Sequence, residues 1–379
     1  MLREEDKTEK SNVEDPGSTE MEYEFWLAGL RLPARKKYLL RQYMKTGRAV
    51  YYIEETEISQ IGFLTERERN TIRQAQKEKG LKEVYDRSCE KGIRFVPYFS
   101  PDYPEKLREI ADFPFALFVK GRLPDRVSRK AAVVGARRCT PYGEKYAVEF
   151  AEKLASCGVE IISGLARGID GMGQRGALMG GGRTFAVLGS GVDVCYPREH
   201  IGLYVDIQEQ GGGILSEYPP GTPPVSQNFP PRNRIISGLS DVVLVMEARE
   251  RSGSLITADL ALEQGRDVYA LPGPVNSELS RGCNRLIQQG AGILLSPEAL
   301  LRDWNLSCGE PVQKKDKNEK VLETPENLVY SCLGLYPKNI DCLAEETKLG
   351  VSELMNALVA LELQGCIKEI SKNFYIKAK

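Results

Sequence analysis

The chain has 379 residues, 41% of them hydrophobic and 28% charged, with a formal net charge of −1. That length holds two or three domains with real cores, and near-neutrality excludes a chain-wide field for polyanions while leaving room for a local basic groove. A single histidine, His200, rules out multi-histidine metal sites, and nine cysteines without a C-x-x-C pair argue against a zinc site or a disulfide framework.

Residues 1–24, MLREEDKTEKSNVEDPGSTEMEYE, are polar and acidic, the opposite of a signal peptide, and read as a disordered tail. No apolar run approaches the ~20 residues of a membrane span, so no membrane association and a cytoplasmic location are expected. Residues 25–90 carry FWLAGL, RKKYLLRQYMKTG, TEISQIGF and ERERNTIRQAQKEKG, apolar at helical spacing between polar breaks, which predicts a small helical, SAM-like domain. Residues 91–305 then change period. GIRFVPYF and FALFVKG are β-like runs expected at a sheet edge, and from Arg129 short buried-strand runs alternate with helical patterns: AAVVGA, VEIISG, TFAVLG, GGILSEY, DVVLVMEA, DVYALPG and AGILLS. That alternation predicts an α/β fold, a Rossmann-like doubly wound parallel sheet whose strand-to-helix turns share one edge. Residues 306–322 read as a linker. Residues 323–379 predict three helices and a β-hairpin, a winged-helix domain with SELMNALVALELQG as second helix of a helix-turn-helix. Cys157, Cys332 and Cys366 fall in apolar helical patterns and are expected as small core residues.

The turns at the shared edge repeat one chemistry. GARRCTPYGE follows the first parallel strand, SGLARGIDGMG the second, GSGVDVCYPRE the third, PPGTPPVSQNFPPRNR the fourth, ARERSGS the fifth and PGPVNSELSRGCNRL the sixth. Glycines allow close backbone approach, Ser and Thr hydroxyls donate to phosphate oxygens, and arginines add bidentate charged donors. Convergence of several such turns predicts an extended phosphate-binding surface. Thr140 is expected to cap the first helix and Asp170 the second. His200, after CYPRE, is expected at a surface helix terminus.

Catalytic signatures are weak. GSGVDV lacks the third glycine of a dinucleotide fingerprint, and no G-x-x-x-x-G-K-[ST] occurs. Glu217, Glu247 and Glu263 read as surface or capping groups, so no catalytic residue, metal or cofactor is assigned. Phosphate sockets without a nucleophile suit the backbone of single-stranded nucleic acid, with Phe229 and Tyr218 as candidate platforms for bases.

The blocks GARRCTPYG, SGLARGIDGMGQRGAL, AVLGSGVDVCYP, GGGILSEYPPGTPP, FPPRNRIISGLSD, RSGSLITADLALEQG and SRGCNRLIQQGA, in this order, resemble the DNA-processing protein A (DprA/Smf) family. The resemblance covers the α/β region and, more loosely, both flanking regions. It implies a non-enzymatic protein that binds single-stranded DNA, forms a homodimer and loads RecA recombinase in natural transformation. Carried over by motif, it implies nucleic-acid contacts from Arg137, Ser163, Gly164, Arg167, Phe229, Arg232, Asn233, Arg234, Arg251, Ser252 and Ser254. One alternative is a nucleotide phosphoribohydrolase of the lysine decarboxylase-like group, although the Pro-Gly-Gly-x-Gly-Thr turn is absent. Another is a transcriptional regulator, although the candidate recognition helix offers bases only Asn356 and Gln364.

Overall fold

The computed structural model describes residues 20–306, 325–333, 338–371 and 373–377. The expected tail up to residue 19 and linker residues 307–322 lie outside them. The chain divides into two compact units, Met1–Cys308 and Gly309–Lys379.

The first unit is built on a nine-stranded sheet. Its strands are β1 (Ile93–Pro97), β2 (Ala116–Gly121), β3 (Lys130–Val134), β4 (Glu160–Ser163), β5 (Thr184–Val187), β6 (Gly213–Ser216), β7 (Val242–Val245), β8 (Asp267–Ala270) and β9 (Gly292–Ile293). They lie in the order β1-β2-β6-β5-β4-β3-β7-β8-β9. β3 to β9 are mutually parallel, while β2 runs antiparallel to β6 and β1 antiparallel to β2. Every residue of β3 to β7 is buried, because helices cover both faces and the strands read as near-continuous apolar runs rather than alternating.

Alternate residues serve opposite faces. Ala132, Val134, Phe185, Val187, Leu215, Val243 and Val245 pack with Ile235, Ile236 and Leu239 of helix Phe229–Leu239 and with Ala258 and Ala261 of helix Gly253–Glu263. On the other face Ala131, Val133, Val242 and Leu244 meet Ala147, Phe150 and Leu154 of helix Pro141–Ser156. The helix that follows β3 and the helix that follows β7 therefore leave the sheet to opposite sides. Between those neighbouring strands a crevice opens at their carboxyl ends, where doubly wound sheets receive ligands.

The N-terminal helices share a core with the sheet. Phe25, Trp26, Leu40, Val50, Ile58 and Ile72 join Phe118, Ala186 and Ile214 in one apolar cluster. The first helix starts at Met21, inside the stretch expected as tail. Glu24, the last residue of that stretch, is buried, its carboxylate accepting from Gly47 N at 2.8 Å and Arg41 Nε at 2.7 Å.

Two further expectations are corrected. His200 is buried, its Nδ1 3.0 Å from the Leu165 carbonyl oxygen; Gly171 makes the room, since a Cβ there would lie 2.6 Å from His200 Cε1. Cys157 is half-buried against the sheet and disulfide-bonded.

The second unit contains helices Pro325–Cys332, Ile340–Thr347 and Val351–Leu363, then strands β11 (Ile367–Ser371) and β12 (Phe374–Lys377), with a short β10 (Lys338–Asn339) completing the sheet. Val329, Leu343, Leu354, Leu358, Leu361, Ile367 and Tyr375 form its core. Among the described residues no helix is long and apolar enough to cross a membrane.

Candidate nucleic-acid interface

A cavity of about 550 Å³ opens at the crevice between β3 and β7. The turn after β3 supplies Gly135, Ala136 and Arg137, the turn after β7 supplies Ser252, Gly253 and Ser254, and Tyr196, Phe229, Arg232 and Asn233 complete the wall.

Local sequence explains each side. Thr140 caps helix Pro141–Ser156, accepting Gly143 N at 3.3 Å, and gives its own N–H to Glu247 at 2.8 Å and its hydroxyl to the same carboxylate at 2.5 Å. Glu247, at the end of β7, thereby ties the two turns together, a buried role rather than a surface one. Ser252 is the N-cap of helix Gly253–Glu263, its Oγ accepting Ser254 N at 3.3 Å and lying 2.6 Å from Ser254 Oγ. The first turn of that helix carries no acidic side chain, so its positive dipole end faces the cavity uncompensated. Asn233 is held against this terminus by donating Nδ2 to Gly253 O at 3.2 Å.

The aromatic wall is a pair. Tyr196 and Phe229 lie with centroids 5.6 Å apart at 32°, and the exposed Arg137 guanidinium sits 5.4 Å over the Phe229 ring. Tyr196 stands in the turn after β5 and was not picked from sequence, although CYPRE had been placed at the ligand edge. Tyr218, expected as a base platform, is half-buried and does not line the cavity; burial pushes its hydroxyl up to about 12.

Arg232 is 4% exposed. Its Nη1 donates to Val187 O at 2.7 Å, while its buried Nε has no partner among the described residues. Burial pulls this guanidinium down to about 10, against the pull of Asp170. Burial likewise pushes Asp170 up, opposed by Arg232 and by N–H donation from Gly135 and Gly164. The two groups compensate each other in the cavity floor.

Not every residue expected to touch nucleic acid faces the cavity. Arg234 points away from it: its guanidinium grips Glu217 at 2.7 and 2.6 Å and the Asp112 carbonyl at 2.7 Å, because two residues of helix, about 200°, turn it to the face opposite Arg232. Ser163 is fully buried and donates to Val133 O at 2.6 Å, stitching β4 to β3. Gly164 borders a small niche beside Arg167 and Phe229, but its N–H is taken by Asp170 at 3.2 Å. Arg167 is exposed and paired with Glu199, Nη2 to Oε2 2.9 Å. Arg251 is exposed in an adjoining groove with Arg285 rather than in the cavity. Asp170 is not a helix cap: Gly168 is the N-cap of helix Ile169–Met179 and no side chain caps it. Arg137, Phe229, Arg232, Asn233, Ser252 and Ser254 are the expected residues that the fold brings to one cavity.

The family model described as "DNA recombination-mediator protein A" matches residues 94–305, and that of the "DprA winged helix domain" matches residues 313–371. Protein Smf of Escherichia coli is 42% identical over 312 residues, 79% of this chain and 83% of its own. The chain belongs to the DNA recombination-mediator protein A family. The DNA processing protein DprA of Streptococcus pneumoniae is 43% identical over 225 residues, 59% of this chain and 79% of its own. A solved structure of the Streptococcus pneumoniae protein superposes with a TM-score of 0.62 and 36% identity, covering 74% of this chain and 97% of that one. Family membership agrees with the α/β region and the winged-helix unit described above.

Proposed function

We propose that this member of the DNA recombination-mediator protein A family holds single-stranded DNA along the carboxyl edge of its sheet and acts in DNA processing without cleaving the strand. One observation carries the reading: a single cavity, floored by the buried Arg232, places the Arg137 guanidinium and the Ser252-capped helix terminus beside the Tyr196–Phe229 pair. Phosphate donors next to aromatic surfaces match the alternation of charge and base along an unpaired strand. Arg251 and Arg167 extend the positive rim on either side. Ser163 and Arg234 then support the edge from within rather than touch DNA.

Asp170 is the one acid lining the cavity, and it is committed to the floor, so the reading includes no bond-breaking step. RecA recombinase as protein partner, a homodimer as working form and a cytoplasmic site of action belong to the same reading, through the family.

The test is fluorescence anisotropy of a labelled single strand and its duplex across potassium chloride concentrations. Tighter single-strand binding with a linear fall of log affinity against log salt is expected. Equal or stronger duplex binding overturns the reading. Release of adenine from AMP by the purified chain would favour the phosphoribohydrolase alternative.

A further inference from the structure

Asp170 has no part in holding a strand, yet it sits where a phosphate would be expected. Its carboxylate accepts Gly164 N, in the turn after β4, at 3.2 Å, and the Gly135 N–H, in the turn after β3, helps hold it ionised. A Cβ built on Gly164 would lie 2.7 Å from Asp170 Oδ2 and 1.9 Å from Arg232 Nη1. Carboxylate, guanidinium and both turns therefore meet in one close-packed spot. In doubly wound sheets the N–H groups of the first strand-to-helix turn receive the phosphate of a free nucleotide. Here the Gly164 N–H is taken by a carboxylate that also faces the Gly135 N–H, and that anion is covalently part of the chain.

We propose that Asp170 is a specificity-determining residue, an internal anion that fills the small-phosphate position at the head of β3 and β4 and leaves the rim at Arg137 and Ser252 open to a ligand. This rests on the DNA-holding reading above. It adds a reason why the edge favours a polymer. A free nucleotide or pyrophosphate needs one deep socket to bind tightly, whereas a strand gains from several shallow contacts. Filling the deep socket with a carboxylate removes the first kind of ligand, through charge repulsion and loss of donors, at little cost to the second. It also explains the glycine at 164, where any side chain would displace either the carboxylate or Arg232.

The full chain with Asp170→Ala tests this. The substitution leaves the Gly135 and Gly164 N–H groups and the Arg232 guanidinium facing a carboxylate-sized hole at the cavity wall, which formate fills and into which an oxygen of a phosphate in the cavity can reach. At constant ionic strength, sodium formate and sodium phosphate are expected to raise the variant's melting temperature saturably relative to chloride and to leave that of the unsubstituted chain unmoved. Pyrophosphate is expected to displace a bound oligonucleotide from the variant at concentrations about tenfold or more below those required for the unsubstituted chain, the worth of one charge-assisted contact. Asp170→Ser, which also removes the carboxylate and opens the position, carries the same pyrophosphate criterion if the alanine variant does not fold. The proposal is overturned if the unsubstituted chain responds to the anions as the variants do, or if a folded variant shows no response. Oligonucleotide binding by the unsubstituted chain is read in the same titrations. Its absence would sink the DNA reading, while the melting series still decides the role of Asp170.

Discussion

At the scale of single residues, the arginines of this edge divide by what they face. PPRNR shows Arg232, Asn233 and Arg234 as one cluster, and sequence alone gives no reason to separate them. The separation comes from helix phase and from Glu217, 17 residues away, which claims Arg234. Two substitutions expose the difference. Arg137→Ala removes an exposed guanidinium, so it is expected to weaken single-strand binding and reduce the salt slope by roughly 0.7 with no change in urea unfolding. Arg234→Ala strands Glu217 in a largely buried site and is expected to cost about 3–5 kcal/mol in urea unfolding. Equal stability of the two variants would contradict the assignment. Tyr196→Ala and Phe229→Ala are each expected to cost about 1–3 kcal/mol of strand affinity by anisotropy, the worth of a base–aromatic stack. Phe229 was legible because it opens a motif beside the arginines. Tyr196 was not, because nothing in CYPRE shows that its loop folds back over the neighbouring turn.

At the scale of elements, strands and turns were legible for a physical reason. A parallel strand buried on both faces reads as a near-continuous apolar run, so AAVV, EIIS, TFAV and VVLV stand out between helical periods, with polar residues only at strand ends such as Glu160, Ser163 and Thr184. The helices that close the cavity depend on less visible packing. Gly168, before helix Ile169–Met179, has φ 69° and ψ −131°, and a Cβ there would lie 2.3 Å from Ala136 O, in the turn that carries Arg137. Gly168→Ala is therefore expected to lose about 2 kcal/mol or more in thermal or urea unfolding from backbone strain alone. It is also expected to weaken strand binding by displacing the β3 turn, a coupling that anisotropy on the folded fraction reads directly. Unaltered stability would mean that the two turns are not in the close contact described.

At the scale of the whole molecule, helical periodicity in the N-terminal region announced helices but not what they cover. Phe25 and Trp26 prove to share a cluster with Phe118 and Ala186 of the sheet, because apolar faces show that a surface is buried without naming its partner. The second unit differs: among the described residues, its core is formed by residues from Val329 onward. Every residue lining the cavity lies in the first unit, and helix Val351–Leu363 bears Glu353 and Glu362 but no lysine or arginine. Such a helix contributes nothing to phosphate neutralisation, the term that dominates affinity for a strand. A chain ending at residue 308 is thus expected to keep its fold and to bind a single-stranded oligonucleotide within about twofold of the full chain, with the same salt slope. Anisotropy at two salt concentrations measures both quantities. A smaller slope for the shortened chain would mean that the winged-helix unit contacts phosphates, with the exposed Lys368 on its wing as the group to substitute next.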